Sequence, residues 1–228
     1  MTQLVLRNLP RVLSLFQGQL RDPDSYVHEA AIAGLAGMAD TCPTQVIPML
    51  VKEYEDDSHS VDVRAKIAEA IVRACERCGD TLPVYSPIIL PSLLRGCEDA
   101  CAQVRISSLS VIGSVMELLG PAGYELIQDI VSMAVHLLQM EKEVEVRRGA
   151  AFLLSHTLLG TQEGLLDLIS ESLLQRMQIA LETAKSEDVD GVVRHHCTLA
   201  ITQYFIIRQH VAMRASKEEE KYSFLKII

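Results

Sequence analysis

The sequence predicts an all-α, right-handed solenoid of about five helix pairs. Three observations favour this fold. One short pattern recurs at intervals long enough for two helices along a chain of 228 residues. Apolar residues make up 49% of the chain but aromatic residues only 4%, which is typical of helices packed through Leu, Ile, Val and Ala. The alternating apolar pattern of β-strands is nearly absent.

The recurring pattern begins with a valine and has small or apolar residues four and eight positions later, as in Val27, Ala31 and Leu35. Residues at this spacing form a stripe along one helix face. The pattern starts at Val27, Val63, Val104, Val146 and Val193, at intervals of 36, 41, 42 and 47 residues. These intervals are near the period of HEAT and armadillo repeats, which the pattern resembles.

The intervals place the repeats at about 1–42, 43–80, 81–120, 121–160 and 161–213, with a charged tail at 214–228. The first helix of repeat one is predicted within residues 1–20, where leucines recur at helical spacing. We expect this helix to start at Pro10, because proline is favoured in the first turn of a helix. The second helix is expected to end near Ala39.

The turn of repeat one is predicted from Asp22, Pro23 and Asp24. Pro23 disfavours helix in the residue before it, and either Asp24 or Ser25 can cap the helix that follows. Gly34 and the alanines around it allow a second helix to approach closely.

Repeat two is predicted as helices at 44–54 and 61–78 around an acidic turn, with Gly79 ending the second helix. Prolines between residues 83 and 91 are expected to delay or kink the next helix. The later helices are predicted at 106–119, 124–140, 146–160, 165–184 and 192–213.

Four of the five valines precede an arginine that lies near an acidic turn. These residues are Arg64, Arg105, Arg147 and Arg194. We predict that they form a ladder of Arg–Asp contacts between successive repeats. The alternative is a row of exposed arginines that grips an acidic peptide, and the many nearby carboxylates argue against it.

Six cysteines without a secretory signal predict reduced thiols in the cytosol or nucleus. Cys75, Cys78, Cys97 and Cys101 have the spacing of a four-thiolate zinc site. The alternative, which we favour, is that they pack as small apolar side chains.

Motifs that carry catalysis are also missing from the sequence. His195, His196 and Cys197 are consecutive and lie on different sides of a helix, and Ser155-His156 has no recognisable third partner. We therefore expect no enzyme activity, no cofactor and no metal. The net charge of −9 argues against direct nucleic-acid binding. The apolar stretch 106–119 is shorter than a membrane span and is expected to be buried.

Two stretches resemble a particular family. They are LRDPDSYVHEAAIAGLAGMADTCPTQVIPMLVKEY at 20–54 and VRRGAAFLLSHTLLG at 146–160. Both are similar to C-terminal domains of the family that joins a fungal RNA polymerase II nuclear-import and assembly factor to the animal transport and Golgi organisation protein six. Asp22, Pro23, Asp24, Val27 and Gly34 match the motif and have an architectural role, so the resemblance implies no catalytic residue.

The resemblance implies a non-enzymatic scaffold that binds proteins, such as RNA polymerase II subunits and their assembly or transport factors. It places the chain in the cytoplasm, with shuttling to the nucleus. The alternative that it implies is a membrane-associated role in secretion and Golgi organisation. Members of the family are much longer, so the chain resembles the C-terminal part of such a protein or a short isoform. The sequence does not identify the partner-binding residues.

Overall fold

A computed structural model describes residues 2–160 and 168–225, and within these ranges all regular structure is helical. Consecutive α-helices form five pairs, so the predicted all-α class is confirmed. The helices are α1 Thr2–Gln19, α2 Ser25–Ala39, α3 Pro43–Tyr54, α4 Val61–Cys78, α5 Ser86–Gly96, α6 Ala102–Leu119, α7 Ile127–Met140, α8 Val144–Gly160, α9 Glu171–Glu187 and α10 Gly191–Leu225.

The chain divides into two compact units, Met1–Leu119 and Gly120–Ile228. In the first unit α4 packs between α2 and α6, while α3 and α5 pack against the second helix of their own pair. Ile32, Ile67 and Ile112 lie on these three second helices and are fully buried. Burial of such a side chain contributes about 1.5–3 kcal/mol to the free energy of unfolding.

In the second unit α8 and α10 form the most extensive helix contact, and α7 and α9 pack against them. Val131 of α7, Leu153 of α8, Leu181 of α9 and Cys197 of α10 are all almost completely buried in this unit. The same arrangement of second helices side by side, each supported by a first helix, therefore recurs in both units.

The turn of the first pair forms as its sequence predicts. Asp24 is the N-terminal cap of α2, and its Oδ1 accepts a hydrogen bond from the Tyr26 amide at 2.9 Å. The Asp22 carboxylate accepts from the Asp24 amide at 2.9 Å. Gly34 permits the predicted close approach, because a Cβ atom there would lie 2.6 Å from the Phe16 ring.

Several helices begin or end at positions that differ from the prediction, and these positions lie near proline or glycine. The prediction that α1 starts at Pro10 is wrong, because α1 begins at Thr2 and includes Pro10. Pro10 faces solvent, so water can satisfy the backbone group that loses its helical partner. Gly79, with φ of 49°, ends α4 and opens a 3₁₀ segment that delays α5 to Ser86.

A second 3₁₀ segment, Gly120–Leu126, delays α7 to Ile127. The helix predicted at 165–184 is described from Glu171 to Glu187, and residues 161–167 lie outside the described part of the chain. Helix α10 continues to Leu225, beyond the expected end near residue 213.

The stretch Ala102–Met140 is long and apolar enough to span a membrane by length and composition alone, with a mean hydropathy of 1.3 over its most apolar window. Half of that window is buried inside the fold. Its first part is α6, whose Leu109, Ile112 and Val115 are fully buried. Buried helices of a protein core also reach this length and hydropathy.

Candidate interaction surface

The repeated valine pattern marks the side of each second helix that packs into the core of its unit. Val104, Val146 and Val193 are almost completely buried, whereas Val27 and Val63 are half-buried. The positions four residues later are buried in all five pairs, at Ala31, Ile67, Ser108, Ala150 and Cys197. The pattern therefore positions the helices and leaves little of itself exposed to a partner.

Arg64 of α4 connects α3 to the turn between α5 and α6. Its Nη1 lies 2.8 Å from Asp99 Oδ2 in the turn before α6, and its Nε donates to the Tyr54 carbonyl at 3.2 Å. The Tyr54 hydroxyl lies 2.5 Å from Ser108 Oγ, which donates to the Val104 carbonyl. Burial raises the pKa of Tyr54, although the Ser108 hydrogen bond opposes the shift.

Asp99 remains a carboxylate in this network. Burial alone would raise its pKa, but the Cys101 amide and the Arg64 guanidinium hold the pKa of Asp99 below its usual value. Arg105 reaches the same turn from the other side, and its Nη1 donates to the carbonyls of Asp99 and Ala100 at 2.9 and 3.0 Å.

The second unit repeats this arrangement with different residues. Arg147 Nε lies 2.7 Å from Asp188 Oδ2, and Arg148 Nη2 lies 2.6 Å from Asp190 Oδ2. The hydrogen bond from Arg147 holds the pKa of Asp188 below its usual value. Arg194 donates from Nη1 to the Asp188 carbonyl at 2.7 Å.

The four arginines share one contact. Each donates to a backbone carbonyl that precedes its own helix, and Arg64 and Arg147 also reach a carboxylate in the turn of the next pair. All four guanidinium groups contact turns of the fold.

The first pair has no arginine at this position, because His28 replaces it. A buried polar connection between the first two pairs is made instead by the carboxylate of Glu53. Gln17, Arg21 and His59 lie 2.5, 3.2 and 2.9 Å from it. The sequence did not single out Glu53, and the only signal was a break in the valine–arginine pattern.

The four cysteines considered for zinc do not form a metal site. Within the described residues, which include all four, no group of three or more His, Cys, Asp or Glu side chains could hold a metal ion. Cys75, Cys78 and Cys97 are buried thiols. Burial raises the pKa of Cys75 and Cys97 to about 12, which disfavours the thiolate that zinc requires.

The serine and histidines of the second unit form a helix contact. The Ser155 hydroxyl is fully buried, donates to the Phe152 carbonyl at 2.8 Å and lies 3.3 Å from His196 Nδ1. Burial lowers the pKa of His196, and the neighbouring His195 and His156 act in the same direction. A buried hydroxyl already bound to the backbone is poorly placed to attack a substrate.

Each second helix also has a set of regularly spaced residues that faces solvent, distinct from the buried valine pattern. It consists of the residue before the valine and the residues seven and fourteen positions later, which we call the outward row. All of its members are exposed or half-exposed. They are Tyr26, Ala33, Asp40, Asp62, Glu69, Glu76, Gln103, Ser110, Glu117, Glu145, Phe152, Leu159, Val192, Leu199 and Ile206.

The members of the outward row share one side of each second helix, because seven residues are close to two helical turns. Its chemistry differs between units: in α4 it contains three carboxylates, and in α10 three apolar side chains. The row could have been found in the sequence by shifting the valine pattern one residue. The sequence alone gave no reason to prefer that face over the others.

Comparison with known proteins identifies relatives of this chain. The family model described as "Required for nuclear transport of RNA pol II C-terminus 1" matches residues 2–81. Transport and Golgi organization protein 6 of Drosophila melanogaster is 22% identical over 185 residues, covering 81% of this chain and 20% of the relative. The predicted family resemblance is confirmed.

A second relative from the fungal side of this family is RNA polymerase II assembly factor rtp1 of Schizosaccharomyces pombe. It is 28% identical over 104 residues, covering 46% of this chain and 14% of the relative. The chain therefore spans a fifth or less of the length of these two relatives.

Solved structures show the same fold at low identity. Kap121p superimposes with a TM-score of 0.67 at 14% identity, covering 91% of this chain and 20% of that one. An engineered protein has a TM-score of 0.59 at 17% identity, covering 86% of this chain and 79% of that one. The likeness is one of helical-repeat architecture.

Proposed function

We propose that this chain is a non-enzymatic protein-binding scaffold that acts in RNA polymerase II assembly and nuclear import. The observation that carries the proposal is the match of residues 2–81 to a family described by nuclear transport of RNA polymerase II. The printed name of the fission yeast relative, an RNA polymerase II assembly factor, agrees with it.

The architecture supports binding of proteins. Kap121p, which has the same fold, has been crystallised bound to Pho4p and to the extreme C-terminus of the phosphatase Cdc14p. Helical repeats present long surfaces of this kind. In this chain the outward row is the surface that we assign to partners, because the arginines are already bound to turns.

The partners in this proposal are RNA polymerase II subunits and their assembly or transport factors. The net charge of −9 disfavours direct contact with nucleic acid. The chain is proposed to act in the cytoplasm and to shuttle to the nucleus.

A second candidate function is a role in secretion and Golgi organisation. It is favoured by the name of the fly relative, whose similarity extends over 81% of this chain. The apolar stretch Ala102–Met140 would supply the membrane contact in that case.

The two candidates can be separated by affinity purification of the tagged chain from soluble and membrane fractions, followed by quantitative mass spectrometry. The scaffold proposal predicts polymerase subunits and their assembly factors in the soluble eluate. Golgi or coat proteins in the membrane eluate, without polymerase subunits, would overturn it in favour of the second candidate. An untagged lysate and a tagged unrelated solenoid serve as controls.

A further inference from the structure

A cavity of about 350 Å³ lies in the first unit, where α4 and α6 end. The last turns of these two helices and the 3₁₀ segment Gly79–Val84 enclose it, and we call it the α4–α6 cavity. Ligand pockets have volumes of roughly 300–1,000 Å³, so this cavity is at the lower end of that range. It can hold one large side chain.

The inner wall of the α4–α6 cavity is apolar. Cys75, Leu82 and Leu119 line it and are 1%, 2% and 6% exposed. The Cys75 thiol forms no hydrogen bond with any residue that the structure describes. Burial raises the pKa of Cys75 to about 12, so the thiol stays neutral and behaves as a small apolar group. The inner wall therefore favours an apolar occupant.

Two carboxylates lie at the rim of the cavity. Glu76 and Asp80 line it and are exposed, and neither forms an ion pair or a side-chain hydrogen bond within residues 2–160 and 168–225. Other exposed carboxylates of the first unit differ from them, because Glu55 and Glu69 each have an arginine partner. Two unpaired carboxylates beside an apolar wall favour a cationic group at the rim.

The wall formed by the 3₁₀ segment is held in place without a ligand. Gly79 turns the chain with a φ of 49°, and Pro83 fixes its own φ. The Thr81 hydroxyl donates to the Cys78 carbonyl at 2.7 Å, and the Ser86 hydroxyl donates to the Pro83 carbonyl at 2.9 Å. Because the wall is already ordered, binding would cost little conformational entropy there.

These features discriminate between classes of ligand. The rim carboxylates would repel phosphate groups and anionic lipid headgroups. An apolar side chain with a lysine or arginine beside it matches both the wall and the rim. Glu76 also belongs to the outward row of α4, which continues through Glu69 and Asp62 at steps of about 10.5 Å along the helix. A polypeptide with several basic residues could follow this row, whereas a small amine could not.

We propose that the α4–α6 cavity binds an apolar side chain of a partner protein that is flanked by lysine or arginine. The inference rests on the proposed scaffold function and names the class of segment that one part of the scaffold recognises. The apolar side chain would contact Leu82 and Leu119, and the flanking cations would lie near Glu76 and Asp80.

The test uses the full chain and a dye-labelled peptide with one leucine between two lysines and a glycine–serine segment on each side. A second peptide has serine in place of the leucine, and a third has glutamate in place of each lysine. Fluorescence anisotropy is expected to show that the leucine–lysine peptide binds at least about tenfold tighter than either of the others. Added salt should weaken its binding, because charge attraction is screened, but should preserve the preference for leucine over serine.

The variant Glu76→Gln/Asp80→Asn removes both rim charges with little change in volume. It is expected to weaken binding of the leucine–lysine peptide by about tenfold or more. The matched control, Asp57→Asn/Glu98→Gln, removes the same charge from the turns before α4 and α6. The 18 residues of each helix, or about 27 Å, separate those turns from the cavity. The control should bind like the unmodified chain, and circular dichroism checks that each variant folds.

The apolar part of the cavity is tested by Leu118→Ser, because Leu118 lines the cavity and is 46% exposed. This variant is expected to weaken binding of the leucine–lysine peptide by about threefold or more and to leave binding of the serine peptide unchanged. Leu15→Ser is the control, since Leu15 lies on α1 of the same unit and is 59% exposed. It should leave the binding of both peptides unchanged.

Failure of the leucine–lysine peptide to bind would overturn the inference. Equal binding of the leucine and serine peptides would also overturn it, because the carboxylates alone would then attract the lysines. Dimerisation of the unmodified chain in sedimentation experiments, abolished by Glu76→Gln/Asp80→Asn, would overturn it by making a second copy the occupant. The scaffold proposal has a separate readout, because the absence of polymerase subunits from the soluble eluate would overturn that proposal whether or not the peptide binds.

Discussion

The second helices of the two units share a buried register but differ in the register that faces solvent. In α4 the outward row consists of Asp62, Glu69 and Glu76, whereas in α10 it consists of Val192, Leu199 and Ile206. Four residues after the signature valine, Ile67 and Cys197 are equally buried. Packing therefore constrains one side of each helix, and the other side can take whatever chemistry its partners require.

The largest expected effect comes from placing a charge in the buried register. Val104→Asp is expected to lower the free energy of unfolding by about 3 kcal/mol or more, because Val104 is 2% exposed and the carboxylate would have no partner. Chemical denaturation followed by circular dichroism measures the change.

The matched control is Ser110→Asp in the outward row of the same helix, where the free energy of unfolding should change by about 0.5 kcal/mol or less. Equal losses of unfolding free energy for the two variants would show that the buried and exposed sides of the helix tolerate a charge equally. Val63→Asp should lie between them, because Val63 is half-buried.

A smaller effect is expected from adding one methyl group at Gly34. Its Cβ would lie 2.6 Å from Phe16, so Gly34→Ala should lower the free energy of unfolding by about 1–3 kcal/mol. Gly37→Ala on the same helix is the control, since nothing lies within 4 Å of its Cβ position. There alanine should stabilise the helix by about 0.5–1 kcal/mol, so thermal melting should give shifts of opposite sign.

The contact between Arg147 and Asp188 should appear in the pH dependence of stability. The pKa of Asp188 is lowered in the folded chain. The stability that its carboxylate contributes is therefore fully present above the usual aspartate pKa of about 3.9, and it is lost as the pH falls from there through the lowered pKa. Arg147→Met should therefore reduce stability more at pH 6 than at pH 3. Urea titrations across this range measure the difference.

The control for this pH dependence is Arg176→Met, a substitution at an exposed position of α9 in the same unit. Its pH profile should be parallel to that of the unmodified chain. A parallel profile for Arg147→Met as well would show that the ion pair with Asp188 does not stabilise the fold.

The smallest expected effect on stability is in the outward row itself. Leu199→Asp should lower the free energy of unfolding by about 1 kcal/mol, because the side chain is 38% exposed and the new carboxylate can reach water. Ala200→Asp, one residue further and fully buried, should be strongly destabilising. Similar melting temperatures for the two variants would contradict the assigned helix face.

Much of the fold follows from local rules that the sequence displays. The valine pattern located the second helices, Asp24 was one of the two residues predicted as a cap, and Gly34 was predicted to allow a close approach. Each of these features depends on neighbours in sequence or on residue size. The start of α1 was mispredicted because the helical preference of proline depends on whether the site is exposed. Exposure of Pro10 is a property of the assembled pair.

The contacts between turns were less predictable. Arg64 reaches a carboxylate 35 residues ahead, and Arg147 reaches one 41 residues ahead. Which carboxylate each arginine reaches depends on the distance between turns in space. The role of Glu53 and the apolar outward row of α10 also emerge only when helices from different repeats are placed side by side.

The measurement that most directly tests the account compares two tagged chains in cells. One carries Leu199→Asp/Ile206→Asp in the outward row, and the other carries Ile179→Asp at an exposed site outside it. If the outward row binds partners, quantitative mass spectrometry should show that co-purifying polymerase subunits or assembly factors are depleted from the first chain and retained by the second. Equal recovery from two equally folded chains would contradict the assignment of this surface.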